Sequence, residues 1–487
     1  MQSKIRGLIG SRAFYAMVLA VVLPIIVQNA ISNFVNLLDN LMVGRIGTEQ
    51  MSGVAIANQL VFVFNLAVFG AVSGAGIFTA QFHGAGNVDG VRATLRYKFL
   101  ICMGIAALAI LLFLLRGPQL IGLYLTDTAD PARAERTLGH ALRYLHVMLF
   151  GLIPFALTQC YAGTLRETGE TTMPMVAGII AVCVNLLFNY LLIFGHLFFP
   201  ALGVRGAAYA TVLSRFVELA IIATYTHAHS ARHRFAEGLY SSMAIPGRLA
   251  RSITRKGMPL LLNEFLWSLG IATLSQIYSL RGLDVVAATN ISSTVYNLFS
   301  VAFLSMGSAT AIIVGQALGA NDIDEAKDYS WKLMGLSVAI SVALGAALFA
   351  LSRWIPLMYN TTDSVHALAA SLLRVGACVM PLNAVCNCSY FVLRSGGKTG
   401  VTFLFDCVYT WALMIPFAYV LAHFTGMPIV PLYLCVQLTE LVKCALGLFL
   451  VQKGIWINNI VESVYSGGRE SALSRPNRRH LPNSCTQ

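Results

Sequence analysis

Charge is what this sequence has least of. Asp, Glu, Lys and Arg make up only 11% of its 487 residues, against about a quarter in an average soluble domain. Apolar residues reach 57% and the mean hydropathy is +0.71. A water-facing surface needs more polar groups than this, so a soluble enzyme, a disordered chain and a disulfide scaffold are excluded. Catalytic signatures are missing too. There is no HExxH, no GxSxG and no dinucleotide-binding glycine pattern. Gly397-Lys398-Thr399 imitates the end of a phosphate loop, but Val392 stands where the first glycine would be needed. Ten cysteines include no CxxC pair, Cys386 and Cys388 being two apart. Small apolar filler is their expected role, rather than metal ligand or disulfide. No catalytic residue, metal or bound cofactor is expected, and the loops leave no room for an ATP-hydrolysing domain.

What the sequence has instead is long apolar runs. A helix crossing a hydrocarbon core of about 30 Å needs about 20 residues. Twelve such runs lie near 13–41, 53–80, 93–115, 137–160, 171–195, 204–226, 258–280, 288–316, 331–351, 366–392, 401–423 and 430–452. They are continuous rather than alternating, which points to helices and away from a membrane β-barrel. The first run is full span length and lacks a small-residue cleavage site, so it reads as a span rather than a removed signal. With both termini on one side, 22 of the 33 Lys and Arg fall in the loops and tails of that side and seven on the other. This bias predicts cytoplasmic termini. The formal charge of +12 is then a topology signal and an attraction to anionic lipid, not a nucleic-acid footprint. The Arg-rich C-terminal stretch reads as a solvated tail.

The chain also repeats itself. A shift of 235 residues aligns Pro24 with Pro259, Gly47 with Gly282, Phe64 with Phe299, Gln81 with Gln316, Gly84 with Gly319 and Asp89 with Asp324. A shift of 227–228 aligns Pro154 with Pro381, Leu165-Arg166 with Leu393-Arg394 and Gly169 with Gly397. The expected architecture is all-α: twelve transmembrane helices in two pseudo-symmetric six-helix bundles. The boundaries are 13–226 for the N-terminal lobe, 227–257 for a basic cytoplasmic linker, 258–452 for the C-terminal lobe and 453–487 for a cytoplasmic tail. Pro24 and Pro259 mark sites where the first helix of each lobe can bend.

A few ionisable residues sit where lipid surrounds them, at a cost of about 2.5–3.5 kcal/mol each on insertion scales. Glu218 has Arg215 one turn before it and Glu440 has Lys443 one turn after, so these acids are expected to pair along their own helices. Asp39, Glu264 and Asp406 have no base within four positions. An acid without a fixed counter-ion binds a proton or Na⁺ to offset its charge, which suits coupling to an ion gradient. Asn185 and Asn189, four apart, share a helix face, and Asn383 follows the proline at 381.

The segment Asn33-Phe-Val-Asn-Leu-Leu-Asp39-Asn-Leu-Met-Val-Gly44-Arg-Ile-Gly47 resembles the first-helix signature of the multidrug and toxic compound extrusion (MATE) transporters. Met258-Pro259 to Glu264 resembles the start of their second half. Leu393-Arg394-Ser-Gly-Gly-Lys398-Thr399 and its twin Leu165-Arg166-Glu-Thr-Gly169-Glu-Thr171 resemble the loops after spans 10 and 4. The resemblance covers roughly 13–455. It implies a bacterial inner-membrane antiporter that exports cationic or amphipathic small molecules in exchange for H⁺ or Na⁺, acting as a single chain in the lipid bilayer. It implies a cation-coupling site of Asp39, Asn185, Asn189 and Thr211, and a C-lobe substrate or cation site of Glu264, Asn383 and Asp406. Asn383 and Asn189 stand where some members carry an acid. An amide can ligate Na⁺ but cannot carry a proton, so the coupling ion stays open. Tyr161, Tyr278 and Phe265 offer ring faces for an organic cation, with lipid-facing filler the expected role of any one of them alone. A lipid-linked saccharide flippase of the wider superfamily is the alternative with the same fold, and a passive channel the alternative of another class.

Overall fold

In a computed structural model, described for residues 10–44, 47–125, 131–197, 199–359 and 361–461, all twelve expected spans are helical. We number them α1 (Arg12–Gly44), α2 (Thr48–Gly84), α3 (Val88–Gly122), α4 (Pro131–Glu167), α5 (Thr172–Phe194), α6 (Val204–Ala228), α7 (Gly247–Ser279), α8 (Leu283–Gly319), α9 (Ile323–Leu351), α10 (Asp363–Ser395), α11 (Thr399–Phe424) and α12 (Ile429–Gln452). No strand occurs among the described residues. Several helices outrun their apolar stretches. α7 starts at Gly247, with Arg248, Arg251, Arg255 and Lys256 on its first turns. Backbone polar groups leaving lipid are still best satisfied within the helix.

The repeat seen in the sequence is kept in backbone detail. The turn after α2 puts Gly86 at φ 68°, and Asn87 then caps α3 by accepting from Gly90 N at 2.8 Å. The turn after α8 puts Asn321 at φ 62°, and Asp322 caps α9 by accepting from Glu325 N at 3.0 Å. Glycine reaches that left-handed region freely, and asparagine is among the few other residues that tolerate it. The matched prolines behave less alike. Before Pro154, which cannot donate to the previous turn, α4 tightens into a 3₁₀ turn at Leu149–Gly151. Around its twin Pro381, α10 stays α-helical throughout. Pro24 and Pro259 likewise lie inside unbroken helices.

α1–α6 and α7–α12 form the two lobes. The outer faces carry apolar side chains, among them Leu108 and Leu115 of α3, both about two-thirds exposed, as expected of a surface against lipid. Glycines bring helices together inside each lobe. A Cβ on Gly206 would meet Leu192 O at 2.4 Å, and one on Gly345 would meet Ala377 O at 2.7 Å.

The lobes meet at one end, which holds residues 229–246 and the segment after α12; we call it the linker side. There the first helix of each lobe crosses to the other. Phe14, Val18, Val21, Val22 and Ile25 of α1 are buried with Met306, Ile313 and Leu318 of the C-lobe. Leu249, Ile253 and Leu260 of α7 are buried in the N-lobe core. The close backbone approaches between lobes, Gly70 with Leu261, Gly74 with Gly257, Gly84 with Gln316 and Gly319 with Gln81, all fall in the linker-side halves of these helices.

Candidate functional site

Between the lobes lies a cavity of about 750 Å³ free of protein atoms, its open mouth included. Four helices line it: α2 and α4 from one lobe, and their repeat twins α8 and α10 from the other. Its walls are apolar, with the rings of Phe69 and Phe391 and the side chains of Ile77 and Ile312. Its polar lining comes mainly from the ends of α4 and α10: Arg166, Glu167, Arg394 and Ser395. Glu167 is ion-paired with Lys98, a fully buried lysine that also donates to Thr164 Oγ1 at 3.0 Å.

The linker-side end of the cavity is shut by a lock with two-fold symmetry. Gln81 Nε2 donates across the lobes to Ser395 O at 2.9 Å, and Gln316 Nε2 donates to Glu167 O at 2.8 Å. Both donors and both acceptors are repeat twins. Gly84 and Gly319 let the backbones this close, since a Cβ at either would lie 1.9 or 2.0 Å from the facing glutamine carbonyl. The segment after α12 straps the lock. Ile460 N donates to Gln81 Oε1 at 2.7 Å, Gln81 Nε2 reaches Asn458 O at 3.2 Å, and Asn458 Nδ2 donates to Gly396 O at 3.1 Å. Trp456 is buried in the C-lobe and Ile460 in the N-lobe.

Each lobe also holds a polar cluster. In the N-lobe, Asn189 Nδ2 donates to Asn185 Oδ1 at 3.1 Å, and Asn185 Nδ2 donates to Thr211 Oγ1 at 3.2 Å. Both amides are buried, at 1% and 6% exposure. Three of the four expected N-lobe residues are therefore brought together, from α5 and α6. The fourth, Asp39, lies on α1, which packs along α5; its side chain lies outside the described residues.

The C-lobe departs from expectation. Asp406 is not an acid without a counter-ion. Its Oδ1 accepts from Lys443 Nζ at 2.7 Å and its Oδ2 from Asn263 Nδ2 at 3.0 Å. Lys443 thus serves an acid on the neighbouring helix, not Glu440 on its own. Asp406 lies in the first of two π-helical turns of α11, at Leu404–Val408 and Thr410–Met414. Such turns often mark functional sites. Asn263 also reaches Tyr390 OH at 3.3 Å. Glu264, next along α7, is half-buried and feels the attraction of Arg394 and the repulsion of Asp406. Asn383 stands apart from this group and donates to Tyr296 OH at 2.6 Å.

Two more expectations change. Arg215 does not pair with Glu218: its guanidinium donates to Gly151 O at 3.1 Å and covers the Phe155 ring at 4.9 Å. Tyr161 and Tyr278 are buried inside their own lobes, Tyr161 bonding His227 Nε2 at 2.9 Å and Tyr278 packing on Tyr433 at 5.6 Å. The rings facing the cavity are Phe69 and Phe391, which sequence reasoning missed because nothing in their spacing separates a lumen-facing ring from a lipid-facing one.

The MatE family model matches residues 24–191 and 259–420, one match in each lobe. The probable multidrug resistance protein NorM of Thermotoga maritima is 24% identical over 442 residues, covering 89% of this chain and 91% of that protein. The multidrug resistance protein MdtK of Edwardsiella ictaluri is 25% identical over 404 residues, covering 83% and 87%. A solved structure of a multidrug resistance MATE family transporter in its outward-facing conformation superposes with a TM-score of 0.79 at 18% identity, covering 90% of this chain and 95% of that one. With a matched family model in both lobes, full-length relatives and the same twelve-helix fold, this chain belongs to the MATE family of multidrug efflux transporters.

Proposed function

We propose that the chain is a secondary antiporter, exporting cationic or amphipathic compounds in exchange for H⁺ or Na⁺ by rocking its two lobes. The observation that carries this reading is the symmetric lock. A cavity sealed at one end by four twin residues, and by apolar packing of α1 and α7, can be exposed to the other side only by separating those contacts and closing the opposite ends. That motion is alternating access between two parallel repeats. The excess of Lys and Arg on the linker side supports a cytoplasmic placement of that side; in this reading the conformation described here is shut toward the cell interior. The chain then belongs in the bacterial plasma membrane with both termini inside.

In this reading Asp39, with Asn185, Asn189 and Thr211, carries the coupling ion: Asp39 supplies the charge and the amides and hydroxyl supply oxygen ligands. Glu264 is the C-lobe group that meets a cationic substrate. Asp406 holds Asn263 and Lys443 in place beside it, and Asn383 braces α10 against α8. Pro24 and Pro259 leave α1 and α7 able to bend where they cross between lobes. A direct test imposes a Na⁺ gradient or a pH gradient separately on proteoliposomes carrying the purified chain, with ethidium as reporter. One of the two gradients is expected to drive ethidium uphill. Equilibration that ignores both gradients would instead mark a passive channel.

A further inference from the structure

We propose that a basic groove on the linker side, between the start of α7 and the turn from α10 to α11, binds the phosphate headgroup of an anionic phospholipid. The inference uses the membrane fold alone and does not depend on the antiport reading.

The groove holds about 1040 Å³ free of protein atoms, its open mouth included. Three bases line it, Arg255 and Lys256 from α7 and Lys398 from the turn, and no acid does. The two segments are in contact range: a Cβ on Gly397 would lie 3.0 Å from Lys256 Nζ. Lys256 is half-buried, whereas Arg255 and Lys398 are exposed, so a ligand can reach the charged ends. None of the three makes an ion pair among the described residues. The charged group that acts on Lys256 is Lys398, a second base. Like charges held this close repel, and an anion between them removes the repulsion. Other linker-side bases already have acceptors. Arg92 pairs with Asp89, Arg232 pairs with Glu170, and Arg96 Nε donates to Leu239 O at 2.9 Å. Charge bias alone sets topology, and it does not require three bases to meet without an acid in one groove.

The repeat shows that the fold does not require the groove either. Thr171 is the twin of Thr399 and Ala20 the twin of Arg255. In the N-lobe, Thr171 Oγ1 donates to Ala20 O at 3.0 Å and closes the two segments onto each other. Lys256 is matched there by the buried Val21, and Lys398 by Glu170, an acid paired with Arg232.

The surroundings set the kind of anion. Pro259, Val401 and Leu404 form the apolar side of the groove. Leu404 is 59% exposed, as expected of a side chain against lipid. A phospholipid uses both sides: its phosphate oxygens accept from the bases, and its acyl chains run along the apolar residues. Free phosphate would meet the bases and leave the apolar side without a partner.

Native mass spectrometry of the purified full-length chain in detergent gives the ratio of dissociation constants for phosphatidylcholine and phosphatidylglycerol with the same acyl chains. The wild type is expected to favour phosphatidylglycerol by about tenfold. Lys398 is exposed, so Lys398→Gln, checked for a wild-type size-exclusion profile, is expected to keep the fold and lower the preference about fivefold. The double variant Lys256→Gln, Lys398→Gln should bring it near one. Lys453→Gln removes a linker-side charge outside the groove and should leave the preference at the wild-type value. A large excess of inorganic phosphate should leave phosphatidylglycerol bound. No preference in the wild type, or an unchanged preference in both groove variants, overturns the proposal. An equal loss in Lys453→Gln would overturn it in favour of general surface charge, and displacement by inorganic phosphate would overturn it in favour of a free-phosphate site.

Discussion

At the scale of single residues, the lone acids decide most. Asp39 carries the coupling role in this account, so Asp39→Asn should reduce ethidium efflux to background while membrane expression stays at the wild-type level; efflux at the wild-type rate would remove that role. Lys443 and Asp406 behave differently, because each is the other's counter-ion. Lys443→Met leaves the Asp406 carboxylate without its ammonium, and loss of one partner of a buried pair costs about 3–5 kcal/mol. Thermal unfolding in detergent should therefore show a clear fall in midpoint, with much of it recovered in the double variant Asp406→Asn, Lys443→Met. A single variant as stable as the wild type would show the pair to be solvated. The sequence made part of this legible. Asn185 and Asn189 could be placed on one face from their spacing, and their hydrogen bond follows from it. The Lys443–Asp406 pair could not be read, because it joins two helices and spacing along one helix names no partner on another.

At the scale of elements, the repeat explains why α2 and α8 can serve as gate posts. Their twin glycines, Gly84 and Gly319, face the partner helix with no space for a methyl group. Gly84→Ala forces the facing Gln316 backbone away, at a cost of about 1–3 kcal/mol to the closed arrangement. The variant should expose the linker side. A cysteine-reactive maleimide given from that side should label a Ser308→Cys reporter in the cavity faster in Gly84→Ala than in the Gly84 parent; equal rates would show that the glycines do not set the closure. The glycine and glutamine pairs were visible in the sequence as repeat matches. Their meeting each other across the lobes was not, since an offset pairs residues by position in the chain and says nothing of which copies touch. The same limit hid that Arg166 and Arg394, plain as motif twins, both line one cavity. Span ends were underestimated for a simpler reason. Hydropathy stops at the edge of the apolar run, whereas the helix continues into water with charged turns such as Arg248 to Lys256.

At the scale of the whole molecule, the central claim is that the two lobes separate on the linker side in every transport cycle. Ala80 and Gly315 are repeat twins that face each other across the pseudo-two-fold axis, and a Cβ on Gly315 would lie 3.1 Å from that of Ala80. This is slightly shorter than the spacing a disulfide adopts, about 3.5–4.5 Å, and a small shift of the two helices reaches it. The variant Ala80→Cys, Gly315→Cys, with exposed Cys183 and Cys378 replaced by serine, places a removable bolt across the closed end. Oxidised protein in proteoliposomes under an ion gradient should cease to move ethidium, and reduction should restore transport to the level of the parent. Transport at the parental rate while the disulfide is intact would contradict the account, because cargo would then be crossing without the linker side ever opening.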